Sequence, residues 1–214
     1  KKAALEGLEL AYSYMQKKFT TEGETVAPLW VKDGKKLSEW SFWNFGEQAN
    51  LGFPFEDGEE ILVDKRAASY FYVTFLPSKL GGATFYLTGL RDSDGNMLNG
   101  KDTYKLNVPA DVPAKDFWSA IVYNMETKNF NRGVDRVGAS TKDLDKMVKN
   151  ADGSVDIYYA PNLDDVPKGF EANWVTTESA TSANDWFFLF RLYRPTSKDW
   201  FKTWMLDDVQ NISE

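Results

Sequence analysis

Apolar positions open the chain at a helical period. Leu5, Leu8, Tyr12, Met15 and Phe19 are spaced three and four apart, which puts them on one face of a helix over residues 3–19. Gly7 weakens that helix slightly. The expected use of the face is packing on a larger body. Residues 20–57 show no clean period. Within them, Asp33-Gly34 between Trp30-Val31 and Leu37 has the chemistry of a tight hairpin. Trp40, Phe42, Trp43 and Phe45 then crowd into an aromatic knot that can plug a core or rim a groove. Residues 58–76 read as a second helix. Its first half sets Ile61, Leu62 and Ala68 against Glu59, Asp64 and Lys65. Its second half, Ala67 to Leu76, is apolar nearly all round, the mark of a helix that is buried or sits between two bodies. Pro77 and Gly81-Gly82 end it.

From residue 83 the period changes to two. Short runs appear at 83–90, 103–108, 117–124, 154–160, 170–176 and 186–194. Between them stand Asp94-Gly95, Asn99-Gly100, Pro109, Pro113, Asp152-Gly153, Pro161 and Pro167. Regular short strands with such punctuation predict a sandwich or barrel, not a β-α-β fold. Ser140-x-x-Asp143 ahead of Leu144 and Met147 has the spacing of a capped short helix. The run Trp186–Arg194 is apolar on both faces over its first half, so it predicts a central strand covered on two sides. The expected cover is the apolar helix over 67–76 or a partner chain. The domain plan is therefore a helical subdomain over 1–82 and a β-sandwich over 83–214.

Composition narrows the chemistry. The 214 residues contain neither Cys nor His. That removes disulfides, thiol nucleophiles, Cys/His zinc sites and any imidazole base. Net charge is −7, which disfavours nucleic acid and anionic membrane surfaces as partners. No run approaches the 18 apolar residues of a membrane span. Lys1 and an amphipathic opening suggest a processed product or a fragment. Aromatic residues make up 15% of the chain, which raises the question of how many are core and how many face a ligand.

The ordered set of short motifs in the β region resembles a known family. Asp92-Ser93-Asp94-Gly95-Asn96-Met97-Leu98-Asn99-Gly100 is followed by Tyr104-Lys105-Leu106 and by Phe117-Trp118-Ser119 with Tyr123. Asn131-Arg132-Gly133-Val134-Asp135-Arg136 and Asn150-Ala151-Asp152-Gly153-Ser154 come next. Asn173-Trp174 and Phe190-Arg191-Leu192-Tyr193-Arg194-Pro195 close the set. In order and spacing these resemble the domain of unknown function 1214 over about residues 83–210. The resemblance implies a mainly β fold, a jelly-roll-like antiparallel β-sandwich, with an N-terminal helical subdomain. In that family the domain usually follows another β-domain, the domain of unknown function 1254; its absence from these residues implies either a short architecture or the C-terminal part of a longer chain. Many relatives carry export signals, so the resemblance also implies a periplasmic or secreted setting. It supplies no settled activity.

Three chemistries stay open. Asp92, Asp94 and Asn96 imitate the start of a calcium loop, but Met97 stands where that loop needs Gly, so a turn is the better reading and no metal is assigned. Paired carboxylates, with Asp111, Asp116, Asp135, Asp156 and Glu171 as candidates, can hydrolyse glycosides without histidine. A Tyr–Arg site drawing on Tyr123, Arg136, Arg191 and Tyr193, walled by Trp118 and Trp174, suits a small anion. Trp40, Trp43, Trp200 and Trp204 are candidates for stacking on a glycan, although the spacing of Trp200, Phe201 and Trp204 equally suits docking of the C-terminal segment. The expectation is a ligand-binding or partner-binding module for a small anionic or glycan-like ligand, without a cofactor. A hydrolase or lyase using Tyr, Arg or carboxylates is the alternative, and assembly as a homo-oligomer is the third reading.

Overall fold

The computed structural model describes residues 1–21, 26–43, 56–64, 67, 84–131, 133–178 and 185–213. The chain forms two compact units, Lys1–Ala27 with Phe42–Gly82, and Pro28–Ser41 with Ala83–Glu214. Its first part contains α1 (Lys2–Thr20), β1 (Val26–Pro28), β2 (Val31–Lys32), β3 (Lys35–Lys36), β4 (Ser41–Trp43), β5 (Glu56–Asp57) and β6 (Glu60–Ile61). Its second part contains β7 (Thr84–Gly89), β8 (Tyr104–Val108), β9 (Ala114–Asn124), β10 (Gly138–Ser140), β11 (Val155–Ala160), β12 (Trp174–Thr176), β13 (Trp186–Pro195) and β14 (Gln210–Asn211).

In the first unit, α1 matches the periodic segment within a residue at each end. Its apolar face is mostly open, however. Leu5 and Leu8 are exposed, and of the whole helix only Phe19 is buried. The expectation that this face packs along its length is corrected at its N-terminal half. The helix expected from residue 58 is corrected too. Glu56↔Ile61 and Asp57↔Glu60 pair as an antiparallel hairpin. Gly58 sits at its turn with φ 62, a left-handed backbone that glycine adopts without strain. Val63, Asp64 and Ala67 are helical, and the remainder of that expected helix lies outside the described residues.

The second unit is two facing sheets, mostly antiparallel. One is four-stranded, in the order β12-β11-β8-β14; in the other, β7, β13, β9 and β10 are successive neighbours. Ser41 of β4 pairs Thr88 on the far side of β7. One pair departs from the antiparallel expectation, since β11 and β12 run parallel. They are joined by residues 161–173, whose two 3-10 turns carry the chain back to the start of the sheet. Strand β13 is central, paired with β7 on one side and β9 on the other.

Alternation along the strands builds the core. Trp186, Phe188, Phe190 and Leu192 of β13 point inward beside Leu87, Trp118, Ala120 and Val122. The opposing sheet supplies Tyr104, Leu106, Val108, Val155, Ile157, Tyr159 and Val175. Rings meet across the gap, with Tyr104 edge-on to Trp186 at 5.6 Å and Tyr159 against Phe188 at 5.2 Å. Such ring pairs add to plain area burial.

The segment 28–41 belongs to this unit. The Asp33-Gly34 turn closes the hairpin of β2 and β3 as the sequence predicts. Trp40 is buried edge-on to Phe188 and Phe190, and its Nε1 donates to the Asp207 carbonyl. That ring is a plug, not a groove rim. Phe42 is partly buried, while Phe45 and the Trp43 side chain lie outside the described residues. Trp200 is buried against Trp30 and Phe85, which docks the C-terminal segment. The Ser140–Asp143 signal forms a single 3-10 turn with a complete capping box.

Candidate functional site

The candidate site lies on the outer face of β7, β13 and β9. With the even positions of β13 committed to the core, Phe187, Leu189, Arg191 and Tyr193 take the other face. Register then sets their neighbours. Arg191 lies opposite Tyr86 of β7 and Ser119 of β9, and Tyr193 lies opposite Phe117. The Arg191 guanidinium stands 5.3 Å from the Tyr86 ring and 5.7 Å from the Tyr123 ring. Each contact is favourable by about 0.5–2 kcal/mol, depending on desolvation. Its Nη2 donates to the Tyr123 hydroxyl. Its Nε is buried and meets no acceptor. Among the described residues, no carboxylate pairs with it.

The surrounding rings hold this arrangement. Tyr123 stacks on Phe187 at 5.3 Å, and Tyr193 stacks on Phe117 at 3.9 Å. Phe130 lies against Tyr123 and is 49% exposed, so the patch continues to the surface. Burial pushes the Tyr123 hydroxyl above the ordinary phenol range; the Arg191 charge opposes the rise, and the Tyr86 and Tyr193 phenols reinforce it. Tyr123 therefore stays a neutral phenol at physiological pH, able to donate its own proton.

The other expected site residues lie elsewhere. Trp118 points into the core and stacks on Phe190 at 5.5 Å. Arg136 donates from Nε to the Gly138 carbonyl, and from Nη1 to the Ala172 and Trp174 carbonyls. It fastens β10 to β12, the outer strands of the two sheets. Trp174 donates from Nε1 to the Ala160 carbonyl and packs with Tyr158, Val166 and Phe170. The structure thus brings Tyr123, Arg191 and Tyr193 to one face and leaves Trp118, Arg136 and Trp174 off it. Tyr86 joins the cluster although nothing in the sequence singled it out. Its only signal was the alternation of 84–89, which fixes a face but not a partner across the ladder.

The carboxylates are scattered. Asp116 pairs with Arg194 at 2.6 Å, Asp111 accepts from Trp204, and Glu171 accepts from the Gly169 amide. Asp135 is exposed. Asp92 is buried and accepts from the Asp94 and Asn96 amides, so that loop is a turn. Among the described residues, no three acids stand where they could hold a metal ion.

Asp156 lines a concavity. A groove of about 610 Å³ runs over the outer face of the four-stranded sheet, with Lys105, Asn107, Ser154, Asp156, Asp208 and Gln210 among its walls. Asn107 holds Asp156 at 2.7 Å. Burial pushes the Asp208 carboxyl up, against hydrogen bonds from the Ser38 hydroxyl and the Glu39 amide. This groove is polar and acidic, the opposite of the Arg191 face.

Lys128 is a further residue that sequence inspection passes over. It closes the 124–129 turn with φ 58, and its amine donates to the Met125 carbonyl. Burial pushes that amine down to about 7, with Glu126 acting the other way. Between pH 7 and the ordinary lysine value of 10.5, the unfolded chain binds a proton that the folded one does not. Stability should therefore rise with pH across this window and decline as pH falls toward 7. Urea titrations at several pH values should show this slope, and Lys128→Gln should flatten it. An unchanged slope in the variant would refute the assignment.

Comparison with known proteins agrees with the fold. A family model described as "Protein of unknown function (DUF1214)" matches residues 83–197, more than half of the chain. The chain belongs to this family. The DUF1214 match spans β7 to β13 and includes the whole Arg191 cluster. No curated protein matches the chain. Among solved structures, the VPA0106 protein from Vibrio parahaemolyticus is similar at 17% identity and a TM-score of 0.51, over 70% of this chain and 35% of that one. A protein from Burkholderia cenocepacia described as uncharacterized is similar at 15% identity and a TM-score of 0.40, over 71% of this chain and 41% of that one. The chain thus spans well under half the length of either. The Vibrio likeness concerns the fold, a mainly β body with an N-terminal helix. No helix among the described residues is long and apolar enough to cross a membrane.

Proposed function

We propose that this DUF1214 protein is a non-catalytic binding module that takes a small anion at Arg191. The observation that supports it is a guanidinium set between two tyrosine rings, with no carboxylate partner among the described residues and an Nε without an acceptor. Structural arginines are normally neutralised or fully hydrogen-bonded when removed from water. Arg136 meets three carbonyls from two of its nitrogens; Arg191 meets one phenol. The tyrosines supply what a carboxylate or phosphate ligand needs beside the cation, hydroxyl donors and flat walls. A periplasmic or secreted setting and a homo-oligomeric state or a neighbouring β-domain belong to the same proposal.

Titration with sodium acetate, and separately with inorganic phosphate, tests the reading by amide NMR shifts. Signals of Ser119, Tyr123 and Arg191 are expected to move. Arg191→Met should lose the response, and Arg194→Met, which removes an exposed arginine already paired with Asp116, should keep it. A wild-type protein unresponsive to both anions refutes the proposal.

A second reading rests on the groove over β8 and β11. Its amides, carboxylates and Lys105 suit a neutral hydroxyl-rich ligand, and its negative charge repels an anion. The hydrolase alternative draws on the same place, with Asp208 held toward its protonated form near Asp156. Soluble oligosaccharides added in the same titration should then move Asn107 and Asp156, and chain shortening in the mixture would mark catalysis.

A further inference from the structure

Besides Thr88 Oγ1 and Arg191 Nε, four side chains of the second unit carry a buried polar atom without a hydrogen-bond partner. They are Asn131 Oδ1, Arg136 Nη2, Tyr159 Oη and Thr177 Oγ1. Tyr159 and Thr177 are fully buried, and Asn131 is 4% exposed. All four groups belong to one seam, between the β9–β10 connection and the β11–β12 pair. Asn131 Nδ2 donates to the Thr177 carbonyl at 3.3 Å. The Thr177 amide donates to the Ala160 carbonyl, extending the ladder in which Tyr159 lies opposite Val175. Arg136 Nη1 is bonded to the Trp174 carbonyl on the same strand. The Arg136 charge also acts on the Tyr159 hydroxyl, opposing the rise that burial imposes.

Buried polar groups in folded proteins are nearly always satisfied, and an orphan left dry is destabilising. Four in one seam therefore point to an occupant. Their chemistry selects it. Arg136 Nη2 can only donate, and Asn131 Oδ1 can only accept. The two hydroxyls can do either. A monatomic anion would satisfy Nη2 and both hydroxyls but would repel the Asn131 oxygen. A metal cation would repel the guanidinium. Only a guest that both donates and accepts fits the whole set.

We infer that the seam between the β9–β10 connection and β12 holds bound water, hydrogen-bonded to Asn131, Arg136, Tyr159 and Thr177. This water completes the joint that Arg136 begins. It ties the edge of one sheet to the edge of the other through groups that no direct bond reaches. Internal waters of this kind typically make two to four hydrogen bonds and are costly to remove.

The test uses two readouts of opposite sign for the two states of the seam. If water is bound, Thr177→Val and Tyr159→Phe each delete one of its partners, and Tm should fall by about 2–4 °C. If the seam is dry, the same changes delete a desolvated orphan, and Tm should rise. Oxygen-17 relaxation dispersion of the solvent counts long-lived internal water independently. The wild-type dispersion should be present, and it should shrink in both variants. A rise in Tm overturns the inference, as does a dispersion that both variants leave unchanged. Exchange of chloride for gluconate is the third arm, and a Tm that tracks chloride would assign the seam to an anion and reject water. If neither variant folds, a wild-type protein without slow internal water is decisive against the proposal.

Discussion

Trp186→Ala should lower stability by about 3–5 kcal/mol, enough to unfold a large fraction of a marginally stable domain. The ring is fully buried on the central strand, within 5.1–5.7 Å of Tyr104, Tyr159 and Phe188. Its Nε1 donates to the Asn99 carbonyl at 2.8 Å. Asn99 in turn donates from its amide and Nδ2 to the Tyr104 hydroxyl, whose pKa is pushed up to about 12, chiefly by burial. Truncation thus opens a cavity between both sheets and frees a carbonyl in the loop that tethers them. Trp186→Phe keeps most of the volume and loses the hydrogen bond, so it should cost about 0.5–1.5 kcal/mol plus a packing loss. Urea unfolding of the two variants beside wild type measures the difference. Equal costs would mean that the cavity term is absent.

Asn173→Ala is expected to come next in size although it removes few atoms. Asn173 is fully buried, and its side chain makes three hydrogen bonds. Oδ1 accepts from the Val148 amide at 2.8 Å. Nδ2 donates to the Val148 carbonyl at 2.9 Å and to the Asp156 carbonyl at 2.8 Å. The side chain thus acts as a short strand between the 141–150 segment and β11. Alanine would leave three backbone groups without their partner, at about 1–3 kcal/mol for each that water cannot reach. A total of about 3 kcal/mol or more is expected. Hydrogen exchange should also speed up at Val148 well before global unfolding. If the Val148 amide stays as protected as in wild type, the bracket is not what orders that segment.

Both residues show what could be read from the chain. The period of two from residue 83 located β7, β8, β9, β11 and β13, and the two-sided apolar run placed β13 at the centre. The Asp33-Gly34, Asp94-Gly95 and Asp152-Gly153 turns followed from local chemistry, because a positive φ at such a site needs no distant partner. The same local logic went astray at residue 58. There Ile61, Leu62 and Ala68 set against Glu59, Asp64 and Lys65 suggest a helix, but the Asp57-Gly58 turn closes the hairpin of β5 and β6 instead.

The candidate site was legible only by composition. Tyr123, Arg191 and Tyr193 could be named as an aromatic–cation set, and the structure places them on one face. Arg136 had equal standing in the sequence, yet its fork is taken up by the Gly138, Ala172 and Trp174 carbonyls. Nothing within one sequence reports which carbonyls will come within reach of a guanidinium. Trp118 and Tyr123 differ by five positions on one strand, and the odd spacing alone sends one to the core and the other outward. Asn173 carried no chemical signal at all, since its three partners are backbone groups from two other segments.

The sequence by itself determined which chemistries were absent, where the strands run and which strand is central. Absence of Cys and His is a property of composition, and strand periodicity is a property of neighbours along the chain, so both survive without a fold. The tertiary structure decided the partners. It set Tyr86 beside Arg191, gave Arg136 to the joint between the sheets, ran β12 parallel to β11 and left the groove over β8 acidic. Those outcomes depend on strand order and register, which are fixed by packing the whole apolar set at once. That is why 15% aromatic content could not by itself be divided between core and surface, whereas in the fold much of it is core and Arg191 with its tyrosines faces outward.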